Sequence, residues 1–166
     1  MSLHRLTAIT IGVPDVEATA AYYTEFGLTP LGDNAFATSD GGEQFRLTYS
    51  AQRRLVEIGV GVDDADDLDR VQHQLDALDL AAQRSGDSVT AVEPIAGFTA
   101  VVSIAPRIEQ KIVDPTPYNG PGRIDRPDTR APGIERHGQV APHKLGHVVI
   151  GSADQVATQR FFTDGL

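Results

Sequence analysis

Twice along the chain, a short apolar run gives way to a helical spacing of apolar residues. In the first instance Leu6, Ala8 and Thr10 alternate with Thr7, Ile9 and Ile11, which reads as a buried strand. Gly12 to Pro14 interrupts it. Asp15 then stands where a helix N-cap belongs, its carboxylate placed to accept from the first free helix amides. The spacing predicts a helix to about Phe26, with Val16, Ala20 and Tyr23 on one stripe and Gly27 ending it. Three short strands are expected next, at Thr29–Gly32, Ala35–Thr38 and Gln44–Tyr49, parted by the turns Asp33-Asn34 and Asp40-Gly41-Gly42.

The same order then repeats. From Leu55 to Val62 the chain alternates, with Val56, Ile58, Val60 and Val62 on one face and Leu55, Glu57, Gly59 and Gly61 on the other. Asp63-Asp64 is placed to cap a helix in which Leu68, Val71, Leu75, Leu78 and Ala82 recur at alternating spacings of three and four residues. Strands are predicted at Ser88–Glu93, Thr99–Ile104 and Arg107–Val113. Each unit therefore reads strand, helix, strand, strand, strand.

A third beginning lies at the other end of the sequence. Set under Leu6–Gly27 at an offset of 139, the last 22 residues, Leu145–Leu166, are identical at seven positions: Leu145, Ile150, Gly151, Asp154, Ala157, Thr158 and Thr163. Tyr22 and Tyr23 become Phe161 and Phe162. The match includes turn and cap positions as well as apolar ones, which favours duplication over the chance likeness of two amphipathic segments. One difference carries chemistry: where the first copy has Ala8, the second has His147. The second copy supplies one strand and one helix without partners, and an unpaired strand leaves backbone groups unsatisfied. It is expected to pack on the first domain, pair with another chain, or open a longer protein; a truncated two-domain protein is the favoured expectation. The domains are thus read as 1–114, a linker at 115–144, and the start of a second domain at 145–166.

Composition narrows the function. Six of the ten prolines and four glycines fall in 115–144, which suits an extended connector along a surface. The chain has no cysteine, so disulfides, thiolate nucleophiles and cysteine-held metals are excluded. A reducing cytoplasm is compatible with that, and a cytoplasmic location is expected. No apolar run approaches the ~18–20 residues of a membrane span. Residues 1–114 carry 8 basic and 18 acidic side chains, so a domain without a basic stripe argues against nucleic-acid binding. Asp63, Asp64, Asp66, Asp67 and Asp69 read as mostly solvated carboxylates complementing a helix dipole rather than as a metal site. His73, His137 and His143 read as surface residues.

The opening VPDVEATAAYYTEFGL, the run AFATSDGGEQFRLTYSAQRRLVEIGVGVDD and the restart PHKLGHVVIGSADQVATQRFFTDGL resemble the vicinal oxygen chelate superfamily, and within it the two-domain extradiol catechol-type dioxygenases. The resemblance implies an α+β fold of paired βαβββ units in a curved mixed sheet, followed by the first strand and helix of a second such domain. It also implies a metal-free N-terminal copy and an Fe(II) site in the C-terminal one, made by two His and one Glu. His147 matches the first ligand; the others would lie beyond Leu166. Ala8, Glu57 and Glu109 stand at the corresponding places of the first domain, where Ala8 cannot bind a metal and Glu57 replaces a His. A small aromatic substrate, O2 and a homo-oligomer are the implied partners. Glu57 and Glu109 could instead face each other as an acid–base pair, or sit as ordinary carboxylates paired with Arg46, Arg53, Arg54 or Arg107. The same scaffold serves non-catalytic small-molecule binders and glyoxalase-type isomerases or lyases. One imidazole is a poor metal site, so the 166-residue chain by itself is expected to bind no iron tightly. Iron analysis after anaerobic reconstitution checks this; stoichiometric metal that disappears with His147→Ala would overturn it.

Overall fold

The computed structural model describes residues 3–109, 117–127 and 141–166. β1 (Arg5–Val13), α1 (Val16–Glu25), β2 (Thr29–Gly32), β3 (Ala35–Thr38) and β4 (Gly42–Tyr49) make the first unit; β5 (Arg54–Val62), α2 (Ala65–Ala77), β6 (Ala82–Ser85), β7 (Ser88–Val92) and β8 (Thr99–Ile104) make the second. All eight strands join one mixed sheet in the order β2-β3-β4-β1-β5-β8-β7-β6. Within each unit the first strand pairs in parallel with the last, β1 with β4 and β5 with β8, and the units meet where β1 pairs antiparallel with β5. The α+β class and the paired-unit order expected from the sequence are what the chain adopts.

Each helix covers its own half of the sheet. Asp15 caps α1 by accepting from the Ala18 amide, and Val16, Ala20 and Tyr23 pack toward Leu28, Phe36, Phe45 and Leu47. Asp64 caps α2 by accepting from the Asp67 amide, and Leu68, Val71 and Leu75 disappear into a core with Val60, Val89 and Val102. Two glycines of β5 leave room at the seam. A Cβ on Gly59 would meet the Thr7 hydroxyl at 2.2 Å, and one on Gly61 would meet the His4 ring at 2.8 Å. A side chain at Gly59 would displace Thr7, and one at Gly61 would displace the His4 ring.

The second unit departs from expectation at both ends. The stripe extended to Ala82 overshoots: α2 stops at Ala77, Asp79 turns left-handed at φ 56°, and the Leu80 amide reaches back to the Leu75 carbonyl at 3.0 Å. This is the closing hydrogen bond of a helix C-terminus that usually has glycine where Asp79 stands. Ala82 belongs to β6, a strand the sequence reading missed because Gln83, Arg84 and Ser85 are exposed and show no apolar alternation. The strand predicted at Arg107–Val113 is absent over Arg107–Glu109, and its remainder lies outside the described residues. The connector holds a small hairpin, β9 (Asn119–Gly120) with β10 (Arg123–Ile124), where only extended chain was expected. Among the described residues, no helix is long and apolar enough to cross a membrane.

Left-handed backbone at a residue with a side chain costs about 1 kcal/mol or more, and a carboxylate at a helix C-terminus opposes the dipole. Asp79→Gly is therefore expected to raise unfolding stability by about 1 kcal/mol, measured as a higher urea midpoint with an unchanged slope.

Candidate functional site

In the tail, the helical half of the duplication is reproduced and the strand half is not. Asp154 caps α3 (Gln155–Arg160) at φ −133°, ψ 93°, accepting from the Ala157 amide; Asp15 does the same for Ala18 at φ −120°, ψ 96°. A π turn over Phe161–Gly165 follows. Phe161 and Phe162 meet edge-on at 5.4 Å and 89°, as Tyr22 and Tyr23 do at 5.2 Å and 81°. Residues 145–150, expected as a strand, have no regular secondary structure and join no sheet among the described residues. The returning chain is held just before them by the Ser39 and Asp40 amides, which donate to the Pro142 and His143 carbonyls, and at Leu145 by the side chain of Gln44.

Gln44 is almost completely buried and holds three parts of the chain together. Its Oε1 accepts from Thr38 Oγ1 at 2.9 Å and from the Leu145 amide at 2.7 Å, while its Nε2 donates to the Leu6 carbonyl at 3.0 Å. Further on, Phe98 stacks on Phe162 at 5.9 Å and 20° and meets Phe161 edge-on at 6.2 Å. Beside it the buried Glu93 accepts from the Ile95 and Ala96 amides and from Thr158 Oγ1 at 2.6 Å. Neither Gln44 nor Glu93 was singled out from the sequence. Glu93 directly precedes Pro94 at a strand end, which signals a turn, but nothing there marks its long-range partner.

His147 lies exposed within residues 145–150, between Leu145 and a cleft of about 420 Å³ bounded by Val148–Gly151, Arg53, Arg54 and Phe98. Ile11 and its repeat counterpart Ile150 both face that cleft. Of the first-domain positions, Ala8 lies on β1 in an irregular stretch between Leu6 and Ile9. Glu57 is exposed on β5, in register with Thr10 on one side and Thr99 on the other. Glu109 is exposed beyond the end of β8, so the two glutamates do not face each other across adjoining strands. The proposed arginine partners are engaged elsewhere. Arg46 pairs with Glu43, Arg107 pairs with Asp63, Arg53 donates to the Tyr23 hydroxyl and Arg54 to the Gly97 carbonyl.

The aspartate cluster at the start of α2 is structural, and one member is buried rather than solvated: Asp67 accepts from the Asp63 amide and pairs with Arg70. His73 is exposed, as expected; His143 is exposed and pairs with Asp40 at 2.9 Å, and His137 lies outside the described residues. Among the described residues no three His, Cys, Asp or Glu side chains come together to hold a metal. His147 alone does not supply the two-His-one-carboxylate set that an Fe(II) site requires.

A second cleft, of about 400 Å³, opens along α3. It is lined by Val148, Ile150, Ser152, Gln155, Thr158, Gln159 and Phe162. Apart from Thr158, these stand 139 positions after Ile9, Ile11, Val13, Val16, Ala20 and Tyr23, which pack in the first unit's core with Leu28, Phe36, Phe45 and Leu47. In the first unit strands β3 and β4 fill this space; along α3 it is open.

Two βαβββ units joined through their first strands define a paired-module α+β architecture. The same fold is seen in a glyoxalase and in ring-cleaving dioxygenases of known structure. The 2,3-dioxygenase LapB from a Pseudomonas species aligns over 100% of this chain and 59% of its own, with a TM-score of 0.69 and 17% identity. The 2,2',3-trihydroxybiphenyl 1,2-dioxygenase from Sphingomonas wittichii aligns over 98% and 56%, with 0.62 and 19%. The Mn(II)-bound glyoxalase from Novosphingobium aromaticivorans aligns over 68% and 43%, with 0.55 and 19%. The chain thus spans 43% to 59% of the length of these three structures. No protein-family model and no curated protein sequence matches it.

Thr158→Val removes one donor from the buried Glu93 carboxylate, a loss worth about 1–3 kcal/mol. It is expected to lower stability by that amount. Amide exchange should speed up over residues 152–166 while β1 and β5 stay protected.

Proposed function

We propose that this chain forms the first domain and the opening of a second domain in an Fe(II)-dependent extradiol dioxygenase. That enzyme would cleave a catechol-type aromatic with O2, using His147 as one of its metal ligands. The observation that carries the reading is the open face of α3. Six of its seven lining positions correspond to ones that pack in the first unit's core, and the alignment sets His147 opposite Ala8 of β1. A sheet laid on that face in the intact protein would complete a module of the kind already built twice.

The structures whose likeness runs through the tail support the dioxygenase reading: LapB and the trihydroxybiphenyl dioxygenase align over 98% to 100% of the chain. Coverage alone does not separate the two chemistries, because the glyoxalase aligns over 68% and homoprotocatechuate 2,3-dioxygenase over 66%. The residues described here do not complete a metal site, so His147 is assigned only as a donor; the metal, when bound, would serve as template and Lewis acid for a vicinal diol. The first domain, with Ala8 and an exposed Glu57, serves as scaffold. Its hold on the tail through Gln44, Phe98 and Glu93 fixes where the second module begins. Soluble homo-oligomers in the cytoplasm are part of the same reading.

The intact protein, reconstituted anaerobically with Fe(II) and exposed to O2 with a panel of catechols, is expected to give yellow ring-cleavage products. His147→Ala should abolish both iron binding and turnover while leaving the circular dichroism spectrum of the fold intact. Full iron occupancy and unchanged turnover in that variant would sink the assignment of His147. Stoichiometric iron without cleavage of any catechol would sink the dioxygenase.

A further inference from the structure

We propose that the cleft between the start of β1, the chain just after β8 and the returning segment Lys144–Gly146 binds a compact oxyanion, a phosphate or carboxylate group. The cleft holds about 250 Å³ and is lined by His4, Arg5, Arg107 and Lys144 over the apolar Leu6 and Ile108. Three of these side chains are cations in a chain with 14 basic and 23 acidic residues; among the described residues the carboxylate beside the cleft is Asp63, which is paired with Arg107.

Buried donors in the cleft lack acceptors. The His4 side chain is 3% exposed, and among the described residues neither ring nitrogen has a hydrogen-bond partner. Arg5 Nε is buried and, among the same residues, also without one. Buried polar groups without partners are uncommon, and each calls for a missing one. The fold goes out of its way to hold the imidazole here. The His4 amide donates to the Gly61 carbonyl at 3.0 Å, and a Cβ on Gly61 would meet the ring at 2.8 Å and Arg5 Cγ at 3.2 Å. The Asp63 carboxylate stands 3.8 Å from His4 Nε2, too far for a hydrogen bond, and both its oxygens are taken by Arg107 at 2.9 and 2.7 Å.

Charge decides the ligand. A metal cation would enter a lining of three positive side chains with one imidazole to bind it, which is unfavourable. A neutral polar molecule would satisfy the ring N–H but gain nothing from the surrounding cations. An oxyanion accepts from the imidazole and from Arg5 Nε at once, and charge-assisted hydrogen bonds of this kind are about twice as strong as neutral ones. The pair with Asp63 raises the Arg107 pKa further above its ordinary value, so that guanidinium stays charged throughout. The site uses the residues just before His147 and not His147 itself, and it does not rest on the dioxygenase reading.

Titration calorimetry of the chain with inorganic phosphate, and separately with malonate, tests the proposal. One saturable site per chain is expected for at least one of the two, with glycerol giving none. Tighter phosphate assigns a phosphate-bearing ligand and tighter malonate a carboxylate-bearing one; both uphold the site. Arg5→Gln, which keeps the side chain's bulk, should weaken binding about tenfold, and His4→Phe should weaken it too, whereas Arg84→Gln, on the exposed edge strand β6, should change nothing. No saturable binding of either anion overturns the proposal, as does binding that Arg5→Gln leaves intact or that Arg84→Gln weakens equally.

Discussion

β1 and β5 run antiparallel from the pair Arg5 and Gly61 to the pair Gly12 and Arg54, and each is flanked on its far side by a parallel partner from its own unit. This seam turns two four-stranded halves into one sheet, and it tolerates little change. Gly59 and Gly61 let Thr7 and His4 lie against the β5 backbone, and the register shifts twice along the contact. Both helices take their positions from the seam, because α1 covers residues that extend from β1 and α2 covers residues that extend from β5. A slip of one residue here would turn the apolar face of a whole strand toward solvent.

The tail uses the same local device for a different contact. In α1 Tyr23 packs inward against Phe45 at 4.3 Å while Tyr22 is left exposed. At the corresponding positions Phe161 is the buried member, wedged beside Phe98, and Phe162 turns partly toward the open cleft. Two adjacent aromatics on a helix point about 100° apart, so one faces a neighbour as the other faces the helix's own sheet. The duplicated pair thus supplies both a docking contact and a core contact, and the described structure fills only the docking one. Thr158 follows the same logic. Its counterpart Thr19 bonds back to Asp15 within its own helix, whereas Thr158 donates to Glu93 of the second unit.

Much of this architecture was legible in the residues. The strands Thr29–Gly32, Ala35–Thr38 and Thr99–Ile104 fall where alternation and turns place them, and both caps at Asp15 and Asp154 follow from composition at a helix start. β6 was not legible because an exposed edge strand has no apolar face to alternate. The end of α2 was misplaced because Leu78 and Ala82 continue a helical spacing that Asp79 breaks by geometry rather than by hydrophobicity. Leu145–Gly151 has the pattern of a strand, but a strand is a relation between segments, and among the described residues no neighbour pairs with it. His147 could be singled out only by setting it against Ala8. Gln44 and Glu93 act across 101 and 65 residues of sequence, a distance at which local pattern carries no information.

The exchange of Val13, Val16 and Ala20 for Ser152, Gln155 and Gln159 keeps the punctuation of the helix while wetting its lining. Strands β3 and β4 greet α1 with phenylalanine and leucine. A surface laid on α3 would instead have to bring hydroxyls, amides or ordered water to the amide side chains of Gln155 and Gln159. The two helix faces are therefore not interchangeable: an apolar sheet laid on α3 would leave those amides unpaired in a dry seam.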